Sequence, residues 1–322
     1  MTAEQLTSDA DPAPAPAGAM RRYLLTLLLG GFAALLLVLV VFAFLAHQGR
    51  LGPPQFSNNL CLDEKLGFMR AHPPRSANFL VVGSSVAWRH FNSPEAVRLD
   101  PALRPYNAGL CGTNVAQTRS VATWLIGRVP SVKKVVLIAS PVDFADCSAN
   151  APSNFETGAA DRFVFERASP VNSYLRYFDP GTLLFNSIGL RSKRSDPTSF
   201  ESLVINAYGD GPLEPPQARE LLYGAVSFDP RCFTALRRTA QEVGGRVPMI
   251  VALTPLHPRW RERFDPKGSS QRLLERGIRN ALAGTGARFL TAPALPEEAF
   301  FDAIHLRWSH TPGFTRNLLS SE

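Results

Sequence analysis

Cysteine is scarce in this chain, four in 322 residues, and none of the four stands in a C-x-x-C pair or at zinc-ligand spacing. That removes a zinc site from the candidates. Neither G-x-G-x-x-G nor G-x-x-x-x-G-K-[ST] occurs around VVGSSV at residues 81–86, so the glycine there does not begin a nucleotide-binding loop. No internal repeat is present, and no tail concentrates the charge. The net +7 is spread along the chain, with its densest pieces at residues 191–194 (RSKR) and 259–263 (RWRER). Such pieces suit a solvated surface, anionic lipid headgroups or an acidic polysaccharide, and nucleic acid is not an expected partner. A last absence concerns the apolar run at residues 23–46: no small-x-small cleavage site follows it in FLAH.

That run, YLLTLLLGGFAALLLVLVVFAFLA, is 24 residues without a charge. As a helix it would extend about 36 Å, enough to cross a bilayer with some tilt, and it is longer than the apolar core of a signal peptide. Arg21 and Arg22 abut its amino end, whereas Arg50 and Lys65 follow the other end at a distance. The positive-inside rule then sets the amino terminus in the cytoplasm and the large remainder outside, in a periplasm if the cell is Gram-negative. Four domains are expected: a disordered cytoplasmic tail at 1–22, a membrane anchor at 23–46, a linker with a leading helix at 47–76, and a folded domain at 77–322. Outside the cytosol an even cysteine count permits disulfides, in any of three full pairings. Cys111 and Cys147 each follow a predicted strand by a few residues, which makes them the first pair to test; Cys61 and Cys232 would be the other.

From residue 78 apolar runs alternate with helical patterns. Strands are predicted at 79–82 (FLVV), near 105–107, at 134–139 (KVVLIA), 247–253 (VPMIVAL) and 287–290; helices at 115–129, 230–243, 270–283 and from 311 onward. The near-continuous aliphatic strands are what a parallel sheet covered on both faces requires. The fold class expected is α/β, a three-layer α/β/α sandwich with a mostly parallel sheet, preceded by one transmembrane helix. Residues 140–228, rich in aromatics and broken by proline and glycine, read as short helices forming a cap over the sheet edge.

Three short stretches could carry chemistry. In FLVVGSSVAWRHF (79–91) a strand runs into Gly83, Ser84 and Ser85, and the carboxyl end of a strand beside a glycine is where α/β proteins hold reactive groups. The same residues could simply turn the chain and cap the next helix. In YNAGLCGT (106–113), Gly109 could point a backbone N–H at a developing oxyanion. Asp302 and His305 are three apart, so the carboxylate can fix the imidazole tautomer that a general base needs. His310 is the reserve base, while His90, on the segment after the serines, and His257, in a polar loop, are weaker.

In that order the three stretches resemble the SGNH or GDSL-like hydrolase superfamily, over most of residues 77–322 but on only about a dozen positions. The resemblance assigns the nucleophile to Ser85, leaving Ser84 to shape the loop, the oxyanion donors to the N–H groups of Ser85 and Gly109, and the acid–base pair to Asp302 and His305. It implies a serine-dependent acyltransferase or esterase that needs no cofactor or metal. One departure is plain: where the family offers an asparagine before an aspartate, this chain has Val142 before Asp143. Valine cannot donate, so Asn114 or Ser140 are the substitute donors to look for, and Asp143 reads as structural. With its anchor, the chain looks similar to membrane-bound SGNH-like proteins that acylate cell-envelope or secreted polysaccharide beside a multi-spanning acyltransferase. The expected function is O-acetyl transfer to such a polymer through an acyl-Ser85 intermediate. A carbohydrate or lipid esterase, and a non-catalytic polysaccharide-binding or docking protein, are the alternatives.

Overall fold

The computed structural model describes residues 17–57, 59–148, 155–219, 223–291 and 294–320, in two units that meet between Leu51 and Gly52. The first unit is one helix, α1 (Ala17–His47). Within its stretch from Gly18 to His47 an 18-residue window has a mean hydropathy of 2.9 and is not buried within the protein, so the helix is long and apolar enough to cross a membrane. Of the tail expected at 1–22, residues 1–16 lie outside the described residues, and 17–22 form the first turns of this helix. The helix therefore starts before the arginine pair instead of after it.

The second unit begins with α2 (Leu60–Ala71), capped by the Asn59 side chain, which accepts from the Cys61 N–H. Then come β1 (Phe79–Gly83), α3 (Ser85–His90), α4 (Ser93–Leu99), β2 (Pro105–Asn107), α5 (Val115–Arg128) and β3 (Lys134–Ala139). Helices α6 (Thr157–Val164), α7 (Pro170–Arg176), α8 (Pro180–Ser187) and α9 (Leu190–Ser195) follow. The chain continues through α10 (Pro230–Glu242), β4 (Met249–Leu253), α11 (Pro258–Phe264), α12 (Ser269–Leu282), β5 (Arg288–Leu290) and α13 (Thr311–Ser320). The described strands form one parallel sheet in the order β2-β1-β3-β4-β5. Because the side-chain period of a strand is two, β1 sends Leu80 and Val82 to one apolar cluster, with Leu125 of α5, Leu236 of α10 and Ile278 of α12. Phe79 and Val81 go to a second cluster, with Val86 and Ala87 of α3, Trp260 of α11 and Phe314 of α13. The expected strands and long helices are thus present within one or two residues. Short α4 and α11 were not anticipated, and the basic run at 259–263 lies on α11 with Trp260 buried.

The 140–228 stretch differs from the single cap expected of it. Its helical part lies to one side, where Phe163 of α6 packs on Phe56, and Asp161 of α6 accepts from Trp124 of α5 at 2.8 Å. The extended part after Ser202 runs beside α3 and β2, held by a buried charged cluster. Asp210 accepts from the Ser93 N–H at 3.0 Å, the Ser93 hydroxyl at 2.9 Å and Asn107 Nδ2 at 3.0 Å. Arg89 donates to the carbonyls of Gly211 and Ser202, and Lys65 Nζ to that of Gly209. Burial pulls the Lys65 ammonium down to about 7 against the opposing pull of the Asp210 charge.

The disulfides are Cys61–Cys111 and Cys147–Cys232, which corrects the Cys111–Cys147 expectation. Each loop after a strand is tied to a helix start instead of to the other loop. Asn59 reaches the Cys111 carbonyl at 3.4 Å, and Asp229, the cap of α10, accepts from the Cys147 N–H at 2.8 Å.

Candidate active site

The chain leaves β1 for β2 on one side of it, then crosses back to β3 on the other, so β1 lies at the switch point where open parallel sheets hold ligands beyond their strand carboxyl ends. Gly83 closes β1 with φ +143, a conformation that L side chains rarely adopt, and a β-carbon there would lie 2.1 Å from the Ile138 carbonyl oxygen. The Ser84 hydroxyl accepts from the Val86 N–H as the cap of α3 and donates to Asp143 Oδ2 at 2.9 Å. Ser85 is thereby the first residue of α3, half-buried. Its N–H belongs to the first turn, whose amides have no partner within the helix.

The carboxyl-terminal pair arrives on a tight loop. Phe300 bridges to Leu306, the Phe301 N–H donates to the His305 carbonyl at 2.9 Å, and the Arg307 N–H to that of Ala299 at 2.9 Å. Across its tip, Asp302 Oδ1 accepts from the N–H groups of Ile304 (2.9 Å) and His305 (2.8 Å). Asp302 Oδ2 lies 2.8 Å from His305 Nδ1, and His305 Nε2 lies 2.8 Å from Ser85 Oγ. Residues 220 apart in sequence are thus joined in one line, carboxylate to imidazole to hydroxyl. Burial pushes the Asp302 carboxyl up, but the His305 charge and three hydrogen bonds outweigh it and hold it at about 2. An ionised carboxylate only accepts, so His305 carries its proton on Nδ1 and leaves Nε2 to accept from the Ser85 hydroxyl.

His90 supports this arrangement, although its sequence position made it a weak candidate. Fully buried on α3, its ring accepts from the Leu306 N–H at Nε2 (2.9 Å) and meets Thr254 Oγ1 at Nδ1 (2.6 Å). An unprotonated Nε2 puts the proton on Nδ1, donating to Thr254. Burial and the His305 charge hold its pKa well below the usual histidine value. His90 thereby clamps the residue after His305 to the end of β4. The signal available in sequence was only that His90 falls five residues after Ser85 on a short helix.

The remaining expectations fare differently. The Gly109 N–H, expected at an oxyanion, donates instead to Asn107 Oδ1 at 3.0 Å. Its glycine answers a close approach: a β-carbon would lie 2.5 Å from the Trp88 backbone nitrogen, within α3. Three residues on, Gly112 has φ +69, and its N–H has no hydrogen-bond partner among the described residues. Asn114 is not a free donor, because its side chain caps α5 and its Nδ2 donates to the Asp146 carbonyl at 2.7 Å. Ser140 is fully buried, with its N–H on Asp143 Oδ2 at 2.8 Å. Asp143, pushed up to about 6 by burial against those hydrogen bonds, is structural, tying the loops after β1 and β3 together. Among the described residues the His310 ring meets only the hydroxyl of its neighbour Ser309, at 3.2 Å, and is not placed to serve as base. Among the described residues no group of three or more histidine, cysteine or acidic side chains is arranged to hold a metal.

A scan of protein-family models finds no match to this chain, and a search of curated proteins finds none either.

Proposed function

We propose that this protein is a membrane-anchored serine acyl-transfer enzyme. One observation carries the reading: the unbroken line from Asp302 Oδ2 to His305 to Ser85 Oγ, with 2.8 Å at both joints. Non-bonded distances of this kind let an imidazole take the hydroxyl proton as the oxygen attacks. In the proposed cycle Ser85 Oγ bonds to the carbonyl carbon of an ester, its proton passes to His305 Nε2, and Asp302 stabilises the imidazolium. The Ser85 N–H supports the oxyanion. Collapse breaks the bond to the leaving alcohol, which takes the proton from His305 and leaves acyl-Ser85. An incoming hydroxyl then repeats the steps in reverse.

The motif order and the apolar clusters on both sheet faces support a three-layer α/β/α domain of the SGNH kind. The length of α1 and the arginines at its start support an anchor in the cytoplasmic membrane with the second unit outside. That setting favours a cell-envelope or secreted polysaccharide as acceptor, with acyl groups supplied by a multi-spanning acyltransferase, over water as acceptor in an esterase. The 2.8 Å between Ser85 and His305 gives the non-catalytic alternative no support.

The test uses the full chain in detergent with a fluorophosphonate probe and nitrophenyl acetate. Wild type should be labelled and turn over the ester, and Ser85→Ala should do neither. Equal labelling of the two would overturn the assignment, and acetyl transfer to added oligosaccharide would separate transferase from esterase.

A further inference from the structure

Helices α7 and α8 are amphipathic in an unusual sense: their outward side chains are large and apolar. Val171 is 60% exposed, Leu175 69%, Phe185 74% and Ile188 71%. On α7, Val171 and Leu175 are four apart and share a face; on α8 Phe185 is the most exposed large apolar side chain, and Ile188 follows as the extended residue that caps the helix's carboxyl end. The inward contacts are made by other residues, Tyr174, Leu183 and Ser187. Single exposed apolar residues need no explanation, but four on or directly after two consecutive short helices mark a surface that something covers.

Two observations identify what covers it. The first is connectivity. Gly52, the first residue of the second unit, accepts from the Tyr174 hydroxyl of α7 at 2.6 Å, and Gln55 Nε2 reaches the Asp179 carbonyl, at the cap of α8, at 3.5 Å. Five residue steps separate Gly52 from His47, the last residue of α1. Whatever the orientation of the two units, that chain spans at most about 18 Å. If α1 crosses a bilayer, the strip on which α7 and α8 pack is therefore tethered at its surface. The second is charge. Residues 167–195 carry five basic side chains (Arg167, Arg176, Arg191, Lys193 and Arg194) against one acidic, Asp179, although Arg176, Lys193 and Arg194 pair with Glu156, Glu201 and Glu64 from outside that stretch. Apolar side chains flanked by cations match the boundary between acyl chains and anionic headgroups.

We infer that the α7–α8 face is a second membrane contact, seated in the anionic phospholipid surface beside the anchor, with Val171, Leu175, Phe185 and Ile188 immersed. The contact would hold the second unit in one orientation on the bilayer instead of letting it swing on its tether. It rests on reading α1 as a membrane helix and is independent of the acyl-transfer chemistry.

The experiment places a reporter on each of two sides of the full chain, reconstituted alone in vesicles of phosphatidylglycerol and phosphatidylcholine with brominated acyl chains. Phe185→Trp probes the α7–α8 face. Leu273→Trp, 56% exposed on α12, is the control. Both sites are solvent-facing, so neither change burdens the fold. Flotation with the vesicles establishes that α1 inserts. The added emission of Phe185→Trp should then be blue-shifted and fall about two-fold or more in brominated lipid, while that of Leu273→Trp is unchanged. Flotation with no more quenching at 185 than at 273 overturns the inference and leaves the anchor standing. A face made for a protein partner would give that result, since no other protein is present. Failure to float overturns the anchor itself. Equal quenching in vesicles of phosphatidylcholine alone overturns the choice of anionic lipid.

Discussion

The edge that carries Ser85 and His305 and the α7–α8 flank are built on opposite terms. At the edge, groups from four distant parts of the chain hold one another: Ser85 and His90 on α3, Asp143 after β3, Thr254 after β4, and Asp302 with His305 on the last loop. Nearly every polar atom there already has a protein partner, so the geometry is set before any ligand arrives, which is what electrostatic catalysis requires. On the flank, α7 buries none of its residues and α8 only Leu183 and Ser187. The difference teaches where each region's function lies. One is completed by contacts within the fold; the other is left open by it.

The largest effect expected falls on the edge. In Asp302→Asn the amide oxygen can still accept from the N–H groups of Ile304 and His305, so the loop should keep its shape. The amide nitrogen, however, faces His305 Nδ1 and reverses the tautomer, so Nε2 can no longer accept the Ser85 proton. Turnover of nitrophenyl acetate should fall about 10³–10⁴-fold. Steady-state kinetics beside a thermal melt would check this. A loss below about ten-fold with the fold intact would mean that the carboxylate does not orient the base.

A smaller effect concerns His90. Held neutral in the folded state, it gains a proton on unfolding once the pH drops below its ordinary value. Its contribution to stability is therefore complete above about pH 6.5 and is lost by about 1.4 kcal/mol per unit as the pH falls below that. His90→Gln keeps an acceptor for the Leu306 N–H and a donor for Thr254 but cannot titrate. Denaturant unfolding from pH 4.5 to 7.5 should give a variant that loses less stability than the parent on the acid side. The difference between the two curves is the quantity to read, because burial raises Asp63 to about 8 and Asp143 to about 6, and these give slopes of opposite sign. Parallel curves would show that His90 does not carry the slope, and the clamp between Leu306 and Thr254 would lose its claim to hold the site.

How far these two regions could be read from sequence follows from the same contrast. FLVV, KVVLIA and MIVAL are legible because a strand buried on both faces has no alternative to aliphatic residues. Ser85, Asp302 and His305 are legible because reactive types stand at strand ends or at a spacing of three. Gly109 shows the limit. Its position marks a tight approach, but sequence does not say whether its N–H faces solvent or Asn107, and a local side-chain acceptor two residues away decided it. The cysteine pairing failed for a related reason. Proximity to a strand end fixes where a cysteine is but not which helix start comes to meet it. The flank was expected within a cap because a stretch that long, broken by proline and glycine, reads as short helices, and only the fold reveals that Phe185 faces outward while Leu183 faces in.

The smallest expected effect tests the flank from inside the protein. If α7 and α8 leave their apolar residues unsupported by the fold, removing them should cost the folded state almost nothing. Leu175→Gln and Phe185→Gln replace exposed side chains with a residue that a helix tolerates well, so unfolding in detergent should shift by no more than about 0.5 kcal/mol each. Turnover of a small soluble ester should be unaltered, since neither residue belongs to the chain of contacts around Ser85. A loss above about 1 kcal/mol for either would mean that the side chain is packed in solution and that the two regions are built alike. The contrast would then fail on its weaker side, whatever the outcome at Asp302.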